Sequence, residues 1–230
     1  EVNDRRPTWV EVDLGAIESN TAAIKALLPS GTRLMAVVKA NAYGHGAVPV
    51  ALAALSAGAE WLGVATPAEG WELREAGIDA PILVLGAAWP FEAELYLQGN
   101  LRATVTTLDE AQALSEAATR AGGRVLVHVK VDTGMGRLGV PFDRAAEFIA
   151  AVSRLPHLEV EGLFSHFATS DEADLTFARQ QLERFNQALG DLERLRTPIP
   201  LRHLANSGGI FNLMPEAAFD MVRLGISLYG

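Results

Sequence analysis

The chain contains no cysteine among its 230 residues. That excludes disulfides, thiolate metal ligands and a cysteine nucleophile, and it suits a reducing compartment. Lysine is nearly as scarce: Lys25, Lys39 and Lys130 are the only three among 19 basic residues. Positive charge is in deficit overall, with a formal net charge of -9 and no basic run, so a polyphosphate backbone would be repelled and no nucleic-acid partner is expected. Long apolar runs are also missing. The most apolar stretch, Ala47 to Ala59, is closed by Glu60 and falls short of the roughly 20 residues needed to cross a bilayer. The charged start, Glu1 to Pro7, lacks the apolar core of a signal peptide. These absences predict a cytoplasmic protein that engages no membrane. No low-complexity linker or internal repeat breaks the chain.

What is present is 49% hydrophobic residues, enough to bury the core of one large α/β domain. Runs rich in Val, Leu and Ile predict strands near 34–40, 61–65, 82–86, 101–105, 125–132, 158–165, 201–205 and 222–227. Segments with helical spacing lie between most of them, at 47–57, 67–76, 108–121, 143–155 and 174–195, with Gly77 and Gly122 as stops. Eight such units predict a (β/α)8 TIM barrel, a fold of typically about 250 residues. Thr8 to Leu14 alternates like an additional strand, which needs a partner, and a helix follows from Ala16 to Leu28. The domain is therefore read as 1–230, with 1–14 an N-terminal extension and strand and 15–230 the barrel. Since no helix follows the last strand, the helix at 16–28 is expected to complete the outer ring.

The C-terminal ends of barrel strands converge on one face, where active sites are built. The sequence crowds that face with polar groups: Lys39, Lys130 with Asp132, His166, Asn206 with Ser207, and Arg223. Two of the three lysines fall within apolar strands, a costly position unless the amine is paired, neutralised or covalently used. A buried lysine with a lowered pKa forms Schiff bases with carbonyl compounds. Taken alone, Lys39 reads equally well as a strand-end lysine snorkelling to solvent. The turns Asn206-Ser207-Gly208-Gly209 and Leu224-Gly225-Ile226-Ser227 follow the last two strands, where barrels often bind phosphate, and are expected opposite Lys39 in the closed ring. A lysine plus a phosphate site points to pyridoxal 5'-phosphate (PLP). His128 reads best as a satisfied core histidine, Asp132 as structural, and His45 as part of a turn. No metal site is expected.

The segment Ala36 to Gly46, AVVKANAYGHG, resembles the PLP attachment motif of alanine racemases. Lys130 to Gly139, Phe164 to Phe167, Asn206-Ser207 and Val222 to Ile226 resemble four further blocks of that family, in order, and the match covers the chain as the family's N-terminal barrel. The resemblance implies that Lys39 carries the cofactor as a Schiff base and acts as the base on one face of the substrate Cα. It implies that Tyr43, Ser207 and the backbone N–H groups of Gly225 and Ile226 hold the phosphate, with Asn206 beside them. Arg223 would face the pyridine nitrogen, oriented by His166. Arg137 would sit by the cofactor phenolate and the substrate carboxylate, braced by a carbamylated Lys130.

Racemisation needs an acid and a base on opposite faces of Cα. In the family the second group is a tyrosine from a C-terminal β-domain of the partner subunit in a homodimer. That domain is expected to be absent here, with the strand at 9–14 its pairing partner, and Tyr43, Tyr96 and Tyr229 do not substitute for the tyrosine. The implied function is PLP-dependent interconversion of L- and D-alanine for peptidoglycan, with the isolated barrel binding PLP but weakly active. A non-catalytic PLP-binding barrel, a broad-specificity amino-acid racemase and a Schiff-base aldolase are the alternatives.

Overall fold

The computed structural model describes residues 9–230. Strands β1 (Arg33–Val37), β2 (Trp61–Val64), β3 (Ile82–Ala87), β4 (Arg102–Val105), β5 (Val125–Asp132), β7 (Leu158–Phe164), β8 (Leu201–His203) and β9 (Met221–Leu224) pair in parallel. Pairing of β4 with β5 and of β1 with β9 closes them into an eight-stranded barrel. An additional two-residue strand, β6 (Val140–Pro141), lies against the end of β5. All eight expected barrel strands are present, with ends shifted by up to three residues.

Helices α1 (Leu14–Leu27), α3 (Ala47–Ser56), α4 (Pro67–Glu75), α5 (Ala93–Gln98), α6 (Leu108–Ala121), α7 (Ala145–Val152) and α8 (Thr176–Arg194) cover the outside, and α9 (Ser207–Asn212) sits above β8. One further turn, α2 (Lys39–Tyr43), belongs to the site described below. The sequence reading places Tyr96 in an outer helix and a short helix start at 206–209, where α5 and α9 lie, but leaves out α2, which is too short for periodicity to register. As expected, α1 joins the outer ring: Asn20 Nδ2 donates to the Leu228 carbonyl at 3.1 Å, tying the start of the chain to its end. Two helices begin with complete capping boxes, Thr66 with Glu69 and Thr107 with Glu110, each satisfying two orphan N–H groups.

The expected N-terminal strand forms no ladder. Residues 9–13 adopt no regular secondary structure and α1 already begins at Leu14, with Asp13 Oδ1 accepting from Ala16 N at 3.1 Å. A strand exists only against a partner, and none of the described residues pairs with this segment; Thr8 lies outside the described residues. Trp9 and Val10 are exposed.

Alternation divides the core into two layers. Leu34, Ala36, Leu62, Ile82, Val84, Val127, Val129 and Val222 belong to the large outer cluster beneath the helices. Met35, Trp61, Leu83, Leu201 and Met221 form a second cluster, which fills one side of the bore. On the β5 side the alternate positions are His128, Lys130 and Asp132, so the bore is polar there.

Candidate active site

The chain is buried from Leu34 in β1 through Val38, and the apolar run stops at Lys39, which is half-buried. From Ala40 to Tyr43 four consecutive residues have φ of 52–53°, a single left-handed turn. Each L-residue there costs roughly 1–2 kcal/mol, so the turn must be held from outside. Glu69 Oε1 accepts from Ala40 N at 2.8 Å, while Asn41 Oδ1 accepts from Ala47 N at 2.8 Å and caps α3. The result puts Lys39 and Tyr43 on one side, with Nζ 5.9 Å from the tyrosine ring centroid.

Ser207 opens α9, whose N-cap is Asn206. Its Oγ accepts from Gly225 N at 3.1 Å and Ser227 N at 3.3 Å, so its lone pairs are engaged and its hydroxyl proton is left to donate outward. A Cβ at Gly225 would stand 3.6 Å from Ser207 Oγ and 3.9 Å from Tyr43 Oη, which places the three groups around one small space that glycine keeps clear. Ile226 starts a one-turn 3-10 helix, so its N–H has no partner within that turn. Tyr43 Oη, Ser207 Oγ and the Ile226 N–H thus form a cradle of donors, while the Gly225 N–H, expected to be one of them, is spent on Ser207 Oγ.

Arg223, on β9, is buried, with no carboxylate beside it among the described residues. Nη1 donates to His203 Nδ1 at 2.9 Å and to the His203 carbonyl at 3.2 Å. Nη2 donates to the carbonyls of Ser165 at 2.7 Å and Leu204 at 3.0 Å, and lies 3.3 Å from His166 Nδ1. Its Nε–H has no partner among the described residues. Burial pulls the guanidinium down to about 9. Burial, then the charges of Arg223, Lys130, Arg137 and Lys39, push His166 down to about 2, so its imidazole is neutral and can accept from Arg223. Lys130 is buried and lies 5.1 Å above the Phe164 ring. Burial and the neighbouring Arg223, Arg137 and Lys39 lower its amine to about 7.

These groups line one cavity of about 400 Å³: Lys39, Tyr43, Lys130, Arg137, His166, Asn206, Ser207, Arg223, Gly225 and Ile226 all border it. Four basic side chains, of which Lys130 is only partly protonated near pH 7, face it against one lining carboxylate, Asp171, a pattern suited to an anionic ligand. Asp171, Gly86, Leu85 and Leu138 were not picked out from sequence. Leu85 and Gly86 end a strand as Lys39 and His166 do, and that position was the available signal.

A family model described as alanine racemase, N-terminal domain, matches residues 12–230. The chain belongs to the alanine racemase N-terminal domain family. The alanine racemase of Symbiobacterium thermophilum is 49% identical over 230 residues, covering 100% of this chain and 60% of that protein. The alanine racemase of Clostridium difficile 630 in complex with cycloserine matches with a TM-score of 0.94 at 36% identity, over 98% of this chain and 62% of that one. The alanine racemase from Bacillus anthracis with bound L-Ala-P matches with a TM-score of 0.92 at 38% identity, over 98% and 58%. The chain thus spans about 60% of the length of these alanine racemases.

Within this barrel, two expectations need correction. The glycine turns do not lie opposite Lys39: β9 pairs with β1, because the first and last strands of a closed barrel are neighbours, so cradle and lysine are adjacent. Lys130 is deeply buried, whereas Lys39, just past the end of β1, is half-buried, an arrangement the sequence left open. Asn206 borders the cavity, but its Oδ1 accepts from Gly209 N at 3.0 Å and Ser170 Oγ at 2.7 Å, and its Nδ2 donates to the Phe167 carbonyl at 3.4 Å. Its carboxamide is spent on the cap. Asp132 accepts from Gly134 N and Gly136 N, the structural use expected of it. His45 Nδ1 lies 2.9 Å from the Ala42 carbonyl and belongs to the turn.

Proposed function

We propose that the cavity binds PLP and that this barrel is the cofactor-holding part of an enzyme that interconverts L- and D-alanine. One observation carries the reading: a single cavity combines a primary amine, a cradle of donors suited to a phosphate, and, on Arg223, a donor without a partner that can face a ring nitrogen. The cavity volume falls within the usual range for such ligands, roughly 300–1,000 Å³. Bound through a Schiff base, PLP delocalises the electron pair left when a substrate loses its Cα proton.

The chain's residues then divide the work. Lys39 Nζ holds the cofactor and takes the proton from one face of Cα, the one that leads from D-alanine. Tyr43, Ser207 and the Ile226 N–H bind the phosphate, and Gly225 keeps the space for it clear. Arg223 keeps a cation at the ring nitrogen, which disfavours protonating it and so suppresses transamination. His166 accepts from Arg223 and orients it. Arg137 meets the substrate carboxylate, and the unprotonated amine that Lys130 presents near pH 7 can add carbon dioxide, releasing a proton to solvent, to become the carbamate that braces Arg137.

Returning a proton to the other face needs a second group. Tyr96 is buried in α5, and Tyr229 Oη donates to the Val37 carbonyl at 2.9 Å. Tyr43 belongs to the phosphate cradle. None of the three tyrosines is free for that role, and the family resemblance places the second group on a further domain of a partner subunit. The test is to load the chain with PLP and incubate it with D-alanine in D2O, following the Cα proton by NMR and the enantiomers by chiral chromatography. Exchange should outrun inversion by at least tenfold. Inversion as fast as exchange would contradict the single-face assignment; no exchange at all would contradict the function.

A further inference from the structure

The bore holds a polar chain that none of the roles above uses. His128 and His203 are fully buried, and His128 Nδ1 lies 2.9 Å from His203 Nε2. His128 Nε2 lies 3.1 Å from Glu161 Oε2, and Arg102 Nε donates to the same oxygen at 3.3 Å. At the other end His203 Nδ1 meets Arg223 Nη1. Arg102 is the first residue of β4 and Arg223 the third of four in β9, so the chain runs along the barrel from its N-terminal rim to the active-site rim.

The direction of every bond in the chain follows from one end. A guanidinium has no acceptor, so His203 Nδ1 must accept; its Nε2 then carries the proton and donates to His128 Nδ1; His128 Nε2–H in turn donates to Glu161. All donors point from Arg223 toward the carboxylate. The rings are also held in place. His203 stacks on Phe164 at 4.8 Å with 2° between planes, and His128 packs on Trp61 at 5.6 Å. Gly162 makes room for His128, since a Cβ there would fall 2.4 Å from its Nδ1. Burial pushes both imidazoles down, His203 well below its ordinary value, and the hydrogen bond and charge of Glu161 only partly offset this for His128. Burial pushes the Glu161 carboxyl up, but His128 and Arg102 outweigh it and hold it below the ordinary range.

A layer of TIM-barrel interior is ordinarily filled by branched apolar side chains. Two imidazoles and a carboxylate in their place, with all four ring nitrogens and Glu161 Oε2 partnered, form an ordered network that transmits polarisation. We propose that Glu161, through His128 and His203, is the remote counter-charge of Arg223, fixing the plane and charge of the guanidinium that faces the cofactor ring. No proton need move. His128, His203 and Glu161 are positioning residues, and their role toward PLP rests on the cofactor reading above.

The test uses the 230-residue chain labelled with 15N-histidine, in which five histidines are resolved by long-range 1H–15N NMR. Without cofactor at pH 7, His128 and His203 should both show the neutral Nε2–H pattern. Adding PLP should shift the nitrogen resonances of both, and Glu161→Gln, which keeps an acceptor but removes the charge, should displace the visible band of bound PLP. A cationic ring or an Nδ1–H tautomer at either position would overturn the relay, as would a Glu161→Gln band superimposable on the unaltered chain's. The absence of any visible band with the unaltered chain would instead overturn the cofactor reading, while the tautomer pattern would still decide whether the relay exists.

Discussion

Lys130 shows how one buried side chain couples the site to stability. Its amine titrates at about 7 in the fold against 10.5 for an ordinary lysine, because burial comes first and three neighbouring cations add to it. Between those values the unfolded chain binds more protons than the folded one, so stability should rise with pH from about 7 to about 10 and stay flat, as far as this residue is concerned, below 7. In carbon-dioxide-free buffer, urea midpoints measured at pH 7 and 9 should therefore rise in the unaltered chain relative to Lys130→Met. Equal slopes in the two would show that the amine is not perturbed. The residue's environment was partly legible from sequence, since Lys130 and Asp132 sit on alternate strand positions and share a side. His128 is one step further down the same alternation, and extending it would have placed that histidine in the bore. Its partners could not be read the same way, because Glu161 and His203 come from other strands and a register shift in the β5–β7 pairing brings them into line.

At the scale of elements, the turn after β1 depends on a residue from the next unit. Glu69, third in α4, closes the capping box with Thr66, accepts from Ala65 N at 2.6 Å, and reaches Ala40 N at the start of the left-handed turn. Glu69→Ala should cost roughly 0.5–2 kcal/mol by loss of the cap, read as a lower urea midpoint. It should also weaken PLP binding several-fold in a spectrophotometric titration, because Ala40 to Tyr43 lose an external support. A variant that loses stability yet binds PLP unchanged would separate the cap from the turn. The eight barrel strands and the long helices were readable because β-branched runs and helical spacing persist over many residues. The left-handed turn was not, since alanine and asparagine seldom adopt positive φ in series and only the tertiary contact from Glu69 and the capping role of Asn41 reveal why they do so here.

For the whole molecule, closure of the barrel accounts for both the agreement and the misplacement. Strand-end residues far apart in sequence, from Lys39 to Ile226, border one cavity because eight parallel strands present the same ends to one rim. That closure also makes β1 and β9 neighbours, which a linear reading placed across the mouth. Among the described residues no helix is long and apolar enough to cross a membrane. The exposed Trp9 and Val10 precede α1 without a strand partner among the described residues. The central claim is that Lys39 is the residue that holds PLP in this cavity. Borohydride reduction of the chain with one equivalent of PLP, followed by peptide mass mapping, tests it directly. A single pyridoxyl group on the peptide containing Lys39 is the predicted result; label on Lys130 or Lys25, or none, would contradict it.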